Sequence, residues 1–177
     1  MDDDELRRAL REYAYLEGDF VLRSGRRSRY YLDKYRFETR PDLLRALGER
    51  LAAQVREHAP DATRIAGPEL GAVALAAAAS LESGLPFLIV RKDAKGYGTG
   101  NRLEGVFAAG EQVCLVEDVV TSGGAALSAV QALRDAGLTC SSAICVVDRE
   151  EGGVDELARH AVRLRCLFTA SDVLSGT

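Results

Sequence analysis

Short apolar runs alternate with stretches of helical periodicity along most of the chain. Four apolar runs, at 64–66, 87–90, 113–116 and 143–147, predict strands, and an alternating run at 162–168 predicts a fifth. Between them, apolar residues spaced three and four apart predict helices over 41–58, 69–83, 124–136 and 154–160. Strands that alternate with helices in this way are typical of an α/β fold with a parallel sheet covered on both faces.

The N-terminal residues lie outside that alternation. Their periodicity predicts a helix over 3–16, which we expect Gly18 to end in a left-handed conformation. Two short strands at 20–22 and 30–32 are predicted to be joined by a turn around Ser24 and Gly25. Because no repeat, low-complexity tract or long linker divides the chain, we expect one domain over 1–177. A small hood, mainly 1–40, would cap a core of about 41–177.

Composition and charge exclude several classes of protein. Of 177 residues, 47% are hydrophobic and 28% are charged, which excludes a disordered or fibrous chain. The longest apolar stretch, 72–79, is too short to span a membrane. The net charge of −4 disfavours nucleic acid as a partner, because neutralisation of phosphates drives most such binding. The acidic N-terminus is opposite in charge to a signal peptide, so we expect a cytoplasmic protein with no membrane partner.

The most informative segment is an apolar strand that ends in two carboxylates, Glu117 and Asp118. A short loop with Thr121 and Ser122 follows and opens a helix near Gly124. Backbone N–H groups at a helix start, approached closely because of glycine, form a cradle for phosphate. The carboxylates would repel a phosphate, so they should face sugar hydroxyls or a shared Mg²⁺. An ordinary strand–loop–helix turn would explain the Thr, Ser and Gly residues, but not two acids directly after a buried strand.

This segment, 113–124, resembles the phosphoribosyl diphosphate (PRPP) motif of type I phosphoribosyltransferases. Three further segments resemble the orotate phosphoribosyltransferase family: 20–33 its hood, 91–100 its mobile catalytic loop, and 147–152 its orotate-contacting turn. The resemblance covers about 18–153 in the right order and spacing. It implies a type I phosphoribosyltransferase-like fold, with a twisted, mostly parallel sheet flanked by helices and a small N-terminal hood.

The resemblance also implies a reaction and a set of site residues. The reaction would transfer the 5-phosphoribosyl group from PRPP to orotate, giving orotidine 5′-monophosphate and pyrophosphate in pyrimidine biosynthesis. The implied catalytic residues are Lys95, Asp118 and Glu117. The implied PRPP-binding residues are Arg23, Arg91, Lys92, Lys95, Tyr97, Glu117, Asp118, Val119, Val120, Thr121, Ser122, Gly123, Gly124 and Ala125. The implied orotate-binding residues are Tyr30, Tyr31, Thr121 and Arg149.

The same family implies a cofactor and a partner. Mg²⁺ would be bound mainly through PRPP, with no direct protein ligand. A homodimer is implied, in which the loop 92–105 completes the neighbouring subunit's site. The chain departs from the family pattern at three positions: Tyr97 replaces a frequent histidine, Arg23 a frequent lysine, and Gly71 a lysine found in some members. These departures bear on rate and loop behaviour more than on the class of reaction.

Two alternatives stay open on sequence grounds. One is another type I phosphoribosyltransferase that acts on a purine or an uncharged pyrimidine. The cations of the hood and Arg149 argue against it, since an uncharged base needs fewer of them. The other is a non-catalytic sensor of PRPP or a nucleotide, which would not need the leaving-group cations Lys92 and Lys95.

Overall fold

The computed structural model describes residues 1–21, 25, 27–93 and 102–175. Fifteen helices and strands follow one another along these residues. In chain order they are α1 (Asp3–Ala14), β1 (Tyr15–Val21), β2 (Arg27–Leu32), α2 (Tyr35–Glu38), α3 (Pro41–His58), β3 (Arg64–Pro68), α4 (Gly71–Ser83), β4 (Phe87–Val90), β5 (Leu103–Glu104), β6 (Gln112–Val120), α5 (Gly124–Asp135), β7 (Thr139–Asp148), α6 (Gly153–Arg159), β8 (Arg163–Thr169) and α7 (Ala170–Ser175).

The main sheet has six strands in the order β5-β4-β3-β6-β7-β8. Every neighbouring pair is parallel except β4 and β5, which are antiparallel. Buried side chains form one core between the sheet and α1, α3 and α4, and a second core between the sheet and α5. The predicted α/β fold, a mostly parallel sheet with helices on both faces, is therefore confirmed.

The core helices begin and end where the sequence predicts. Pro41 occupies the first turn of α3, where its missing N–H leaves no hydrogen bond unmade. Gly84 ends α4 with φ of 75°, a left-handed conformation that favours glycine. Helices α3 and α4 pack so closely that a Cβ on Gly48 would lie 2.8 Å from the Cβ of Ala78. Small residues thus bring α4 tightly against α3, which matters below because α4 begins at the candidate site.

The hood differs in detail from the expectation. Strands β1 and β2 pair as a separate antiparallel hairpin, with Gly25 in the turn at φ of 79°. However, α1 ends at Ala14, and Gly18 lies inside β1 rather than ending the helix, so that prediction is wrong. The extended conformation begins at Tyr15 because the chain pairs at once with Leu32 of β2. Helix α1 buries Leu6 and Leu10 in the same core as α3.

Three short elements were not predicted: α2, β5 and α7. Each has six residues or fewer, too few for a hydrophobic period to be recognised. Strand β6 is also longer than predicted, because its ladder with β7 continues to the pair Val120 and Asp148. Glu117 and Asp118 therefore lie within the strand and not after it. Among the described residues, no helix combines the length and hydrophobicity needed to cross a bilayer.

Candidate active site

The predicted phosphate loop connects β6 to α5 at the carboxyl edge of the sheet, where open α/β sheets place their ligands. Gly123 caps α5 with φ of 86°, a backbone conformation that a residue with a side chain rarely adopts. No side chain caps the helix, so the N–H groups of its first turn are available for an anion. Gly153, the first residue of α6, packs closely against this loop: a Cβ on Gly153 would lie 2.6 Å from the carbonyl oxygen of Thr121.

One cavity of about 620 Å³ brings this loop together with the predicted diphosphate cations. Its lining includes six residues that the sequence assigned to PRPP: Arg91, Lys92, Thr121, Ser122, Gly124 and Ala125. Strand β4 ends beside the phosphate loop, and the two cations, Arg91 and Lys92, directly follow its last residue. An open depression of about 690 Å³ lies elsewhere, beside α1, and its lining contains none of the predicted site residues.

The cation segment after β4 is fixed by neighbouring residues that sequence analysis did not single out. The backbone N–H of Lys92 donates to Glu69 Oε1 at 2.7 Å. Arg102 donates from Nε to the carbonyl oxygen of Arg91 at 3.1 Å, and from Nη2 to Ser128 Oγ of α5 at 3.1 Å. Arg102 therefore ties the end of β4 to the helix that follows the phosphate loop, and it also lines the cavity.

Asp118 is 3% exposed and does not line the cavity. Its Oδ2 accepts a hydrogen bond from Lys34 Nζ at 2.5 Å, and its Oδ1 accepts one from the Val119 N–H at 2.5 Å. Gly71, the first residue of α4, leaves the space for this pair. A Cβ on Gly71 would lie 1.8 Å from Asp118 Oδ2 and 2.8 Å from Lys34 Nζ.

Two further carboxyl groups are buried around the pair. Glu117 is 6% exposed and Glu38 is 4% exposed, and the Oε1 atom of each lacks a hydrogen-bond partner among the described residues. Burial, followed by the charge of Asp118, raises the pKa of Glu38 to about 8. The same two causes raise the pKa of Glu117, and the Lys34 cation opposes the shift in both carboxyl groups. Burial lowers the pKa of Lys34, but attraction to Asp118 outweighs that effect and raises it.

The predicted orotate residues come together from two parts of the chain. The guanidinium of Arg149 lies over the ring of Tyr30, 4.8 Å from the ring centroid. The Arg149 N–H donates to the Val120 carbonyl at 2.8 Å, which fixes the turn after β7 beside the phosphate loop. Tyr31 does not join them, because neighbouring residues of a strand face opposite sides. Its ring instead lies 5.7 Å from that of Phe20.

Several predicted residues lie outside the described part of the chain. They are Arg23, Lys95 and Tyr97, together with most of the predicted catalytic loop, 94–101. Val119, Val120 and Gly123 belong to the strand end and the helix cap described above, but they are not part of the cavity lining. The roles assigned to all these residues stay predictions.

Sequence analysis missed Lys34 and Glu38 as members of the site. Lys34 was visible only as one cation in a basic hood, and Glu38 lies on a four-residue helix with no periodic signal. The pattern of hydrophobic and polar residues did not indicate that they lie near Asp118, which is 80 or more positions further along the chain. The only local signal was their spacing of four residues, which puts both on one face of a helix turn.

The carboxylates at the end of β6 are not arranged as a metal site formed by the protein alone. Within the described ranges, no group of three or more His, Cys, Asp or Glu side chains is placed to share a metal ion. Both oxygens of Asp118 already accept hydrogen bonds.

Comparison with known proteins agrees with this geometry. The family model of the phosphoribosyl transferase domain matches residues 41–168. The orotate phosphoribosyltransferase of Methanocella arvoryzae is 48% identical over 174 residues, which cover 97% of each chain. The crystal structure of orotate phosphoribosyltransferase from Aeropyrum pernix is 34% identical, with a TM-score of 0.84 over 96% of each chain. That of the Mycobacterium tuberculosis enzyme in complex with PRPP is 28% identical, with a TM-score of 0.82 over 98% of this chain and 99% of that one.

Proposed function

The chain belongs to the orotate phosphoribosyltransferase family, and we propose that it transfers the 5-phosphoribosyl group of PRPP to orotate. The products are orotidine 5′-monophosphate and pyrophosphate, on the route to UMP. One observation carries this proposal: the phosphate loop after β6 and the cations after β4 line the same cavity. That arrangement places two anion-binding regions in one cavity, as a substrate with phosphates at both ends requires.

The two ends of PRPP are bound by different means in this proposal. The 5-phosphate lies at the start of α5, where uncapped N–H groups, Thr121 and Ser122 donate hydrogen bonds. The diphosphate lies toward Arg91 and Lys92, whose positive charges stabilise the negative charge that develops as pyrophosphate leaves. Lys95 is assigned the same task by the family resemblance.

Orotate is a planar anion, and Arg149 and Tyr30 offer it a matching surface. A guanidinium group pairs with a carboxylate through two parallel hydrogen bonds, and an aromatic ring supports a planar base. Their mutual contact holds the hood hairpin against the turn after β7. The Nε of Arg149 forms an ion pair with Glu151 at 3.2 Å. The planar guanidinium can also bind a carboxylate, which orotate carries and an uncharged base lacks.

The protein needs no covalent nucleophile for this transfer. As the bond from ribose to diphosphate lengthens, the sugar becomes cationic, as in glycoside cleavage. Carboxylates near the ribose stabilise that charge and accept hydrogen bonds from its hydroxyl groups, which is the role we assign to Glu117 and Asp118. The remaining task is to hold the orotate nitrogen close to the sugar carbon.

Mg²⁺, a homodimer and a cytoplasmic location complete the proposal. A Mg²⁺ ion bound to PRPP would neutralise charge on the diphosphate as pyrophosphate leaves. The homodimer, with the loop 92–105 completing the neighbouring site, rests on the family resemblance. The buried free thiols of Cys114 and Cys145 suit a reducing compartment.

The direct test is an orotate absorbance assay with purified protein. We expect orotate to be consumed only when PRPP and Mg²⁺ are both present, and pyrophosphate to appear in equal amount. Turnover of uracil or a purine in place of orotate would contradict the assignment of the base. PRPP binding measured by calorimetry, with no product after prolonged incubation, would instead support the sensor.

Replacement of Lys95 by Ala tests the cation that the family resemblance places at the leaving group. We expect turnover to fall by about 100-fold or more, since one lost transition-state contact to a charged oxygen costs about 3 kcal/mol. The matched control is Arg165→Ala, which removes an exposed cation from β8, a strand at the edge of the sheet. Equal activity of the Lys95→Ala variant and the wild type would remove this residue's assigned role.

A further inference from the structure

The lysines of this chain are confined to a few positions. The sequence contains twenty arginines but three lysines, Lys34, Lys92 and Lys95. Two of the three belong to the segment assigned to the diphosphate. The third, Lys34, comes from the hood, directly before α2, and the functions proposed above give it no task.

The contact made by Lys34 is specific in position and charge. Its Nζ lies 2.5 Å from Asp118 Oδ2, and the two side chains are 30% and 5% exposed. The ammonium and the carboxylate both pack against Gly71, where no side chain would fit. A compact ammonium suits this space better than a planar guanidinium, which needs a wider contact surface.

The surroundings of the pair explain why a cation is needed there. Three carboxyl groups, those of Glu38, Glu117 and Asp118, are buried at the end of β6 and on α2. Glu38 and Glu117 each keep one oxygen without a hydrogen-bond partner among the described residues. Like charges buried together disfavour ionisation, and a neighbouring cation opposes that effect. Lys34 is the cation that acts on both glutamates in this structure.

We propose that Lys34 is a positioning residue for the transfer reaction, which fixes the Asp118 side chain so that its carboxylate can accept hydrogen bonds from the ribose hydroxyls of PRPP. This inference rests on the proposed function. It gives the hood a second task beside contact with the base, because Lys34 directly precedes α2 and Glu38 lies one turn later on the same face. A carboxylate oxygen has two lone pairs, so Asp118 can accept a hydroxyl while its bond to Lys34 persists.

The role predicts an effect on one substrate and not on the other. Replacement of Lys34 by Met removes the charge and keeps the length of the side chain. We expect the KM for PRPP to rise about 10-fold or more, since a charge-assisted hydrogen bond at a buried site is lost. The KM for orotate should stay within about twofold, because Tyr30 and Arg149 are unchanged. Lys34→Arg should recover part of the PRPP affinity.

The matched control is Arg36→Met, which removes an exposed cation from the same short helix. It should leave both KM values unchanged. The pH dependence of kcat/KM for PRPP gives a second measurement. In Lys34→Met the acid limb should move to higher pH, because loss of the cation raises the pKa of Glu38 and Glu117 further. A residue that only stabilises the fold would lower the melting temperature without this shift.

The outcomes separate this inference from the proposed function. If wild-type protein makes no product from orotate and PRPP, the proposed function fails before any variant is compared. If the wild type is active and Lys34→Met changes both KM values equally, changes neither, or binds PRPP more tightly, the positioning role is wrong. If Lys34→Met does not fold, Lys34→Gln keeps a hydrogen bond to Asp118 without the charge, and the same comparison applies to it.

Discussion

Glu38 offers a test of the buried carboxyl cluster that does not depend on activity. Its pKa is raised from 4.5 to about 8, mainly by burial and then by the charge of Asp118. Between these two values the folded state keeps the proton while the unfolded state loses it. The folded state then binds more protons, so the free energy of unfolding falls as the pH rises. Below pH 4.5 Glu38 is protonated in both states, and its burial no longer makes the free energy of unfolding depend on pH.

The size of the effect follows from that difference. For one group with these two pKa values, the fall in unfolding free energy between pH 5 and pH 8 is at most about 3.5 kcal/mol. Replacement of Glu38 by Gln removes this titration and keeps the shape of the side chain. We therefore expect the free energy of unfolding of Glu38→Gln, taken relative to that of the wild type, to increase by about 2 to 3.5 kcal/mol as the pH is raised from 5 to 8.

Urea unfolding followed by circular dichroism at several pH values measures this difference. Glu82→Gln, which neutralises an exposed carboxylate on α4, is the control and should show no comparable change with pH. The wild type and Glu38→Gln should differ least at pH 5 and most at pH 8. A constant difference across the range would refute the argument, because it would mean that Glu38 ionises alike in the folded and unfolded states.

Three further predictions follow from the site. Gly71→Ala places a methyl group 1.8 Å from the present position of Asp118 Oδ2, so we expect about 1–3 kcal/mol of lost stability and a higher KM for PRPP. Gly48→Ala, which places a methyl group of α3 against α4, should lose stability without a change in the KM for PRPP. Arg149→Lys keeps the charge but loses the planar contact with Tyr30, so calorimetry should show weaker binding of orotate and unchanged binding of PRPP. Chelation of Mg²⁺ should stop product formation without changing the melting temperature of the protein alone.

Much of the fold could be predicted because local signals and burial agree. Parallel strands buried on both faces read as continuous apolar runs, and Cys114 to Val116 in β6 show this directly. Helix ends at Pro41 and Gly84 follow from backbone chemistry that depends on a single residue. The prediction that Gly18 ends α1 was wrong because glycine is also tolerated inside a strand, and pairing with β2 decided its conformation.

The phosphate loop could also be predicted, since its function requires consecutive residues. A strand, two hydroxyl residues, a glycine cap and a helix start must follow one another in the chain to form an anion cradle. The contact between Arg149 and Tyr30 could be placed only through the family resemblance, because the two residues lie more than a hundred positions apart. Periodicity carries no information on such pairs.

The ion pair between Lys34 and Asp118 could not be predicted from the sequence. All of α2, α3 and β3 lie between Lys34 and Gly71 in the chain, yet the two residues are neighbours in space: a Cβ on the glycine would lie 2.8 Å from the lysine Nζ. Sequence analysis noted Gly71 only as a position where some family members have a lysine, and therefore as a lost contact to pyrophosphate. In the structure, the absence of a side chain at Gly71 leaves space for an ammonium group from the hood beside Asp118. A cation is therefore present next to Gly71, but it is carried by another element of the fold and contacts a carboxylate.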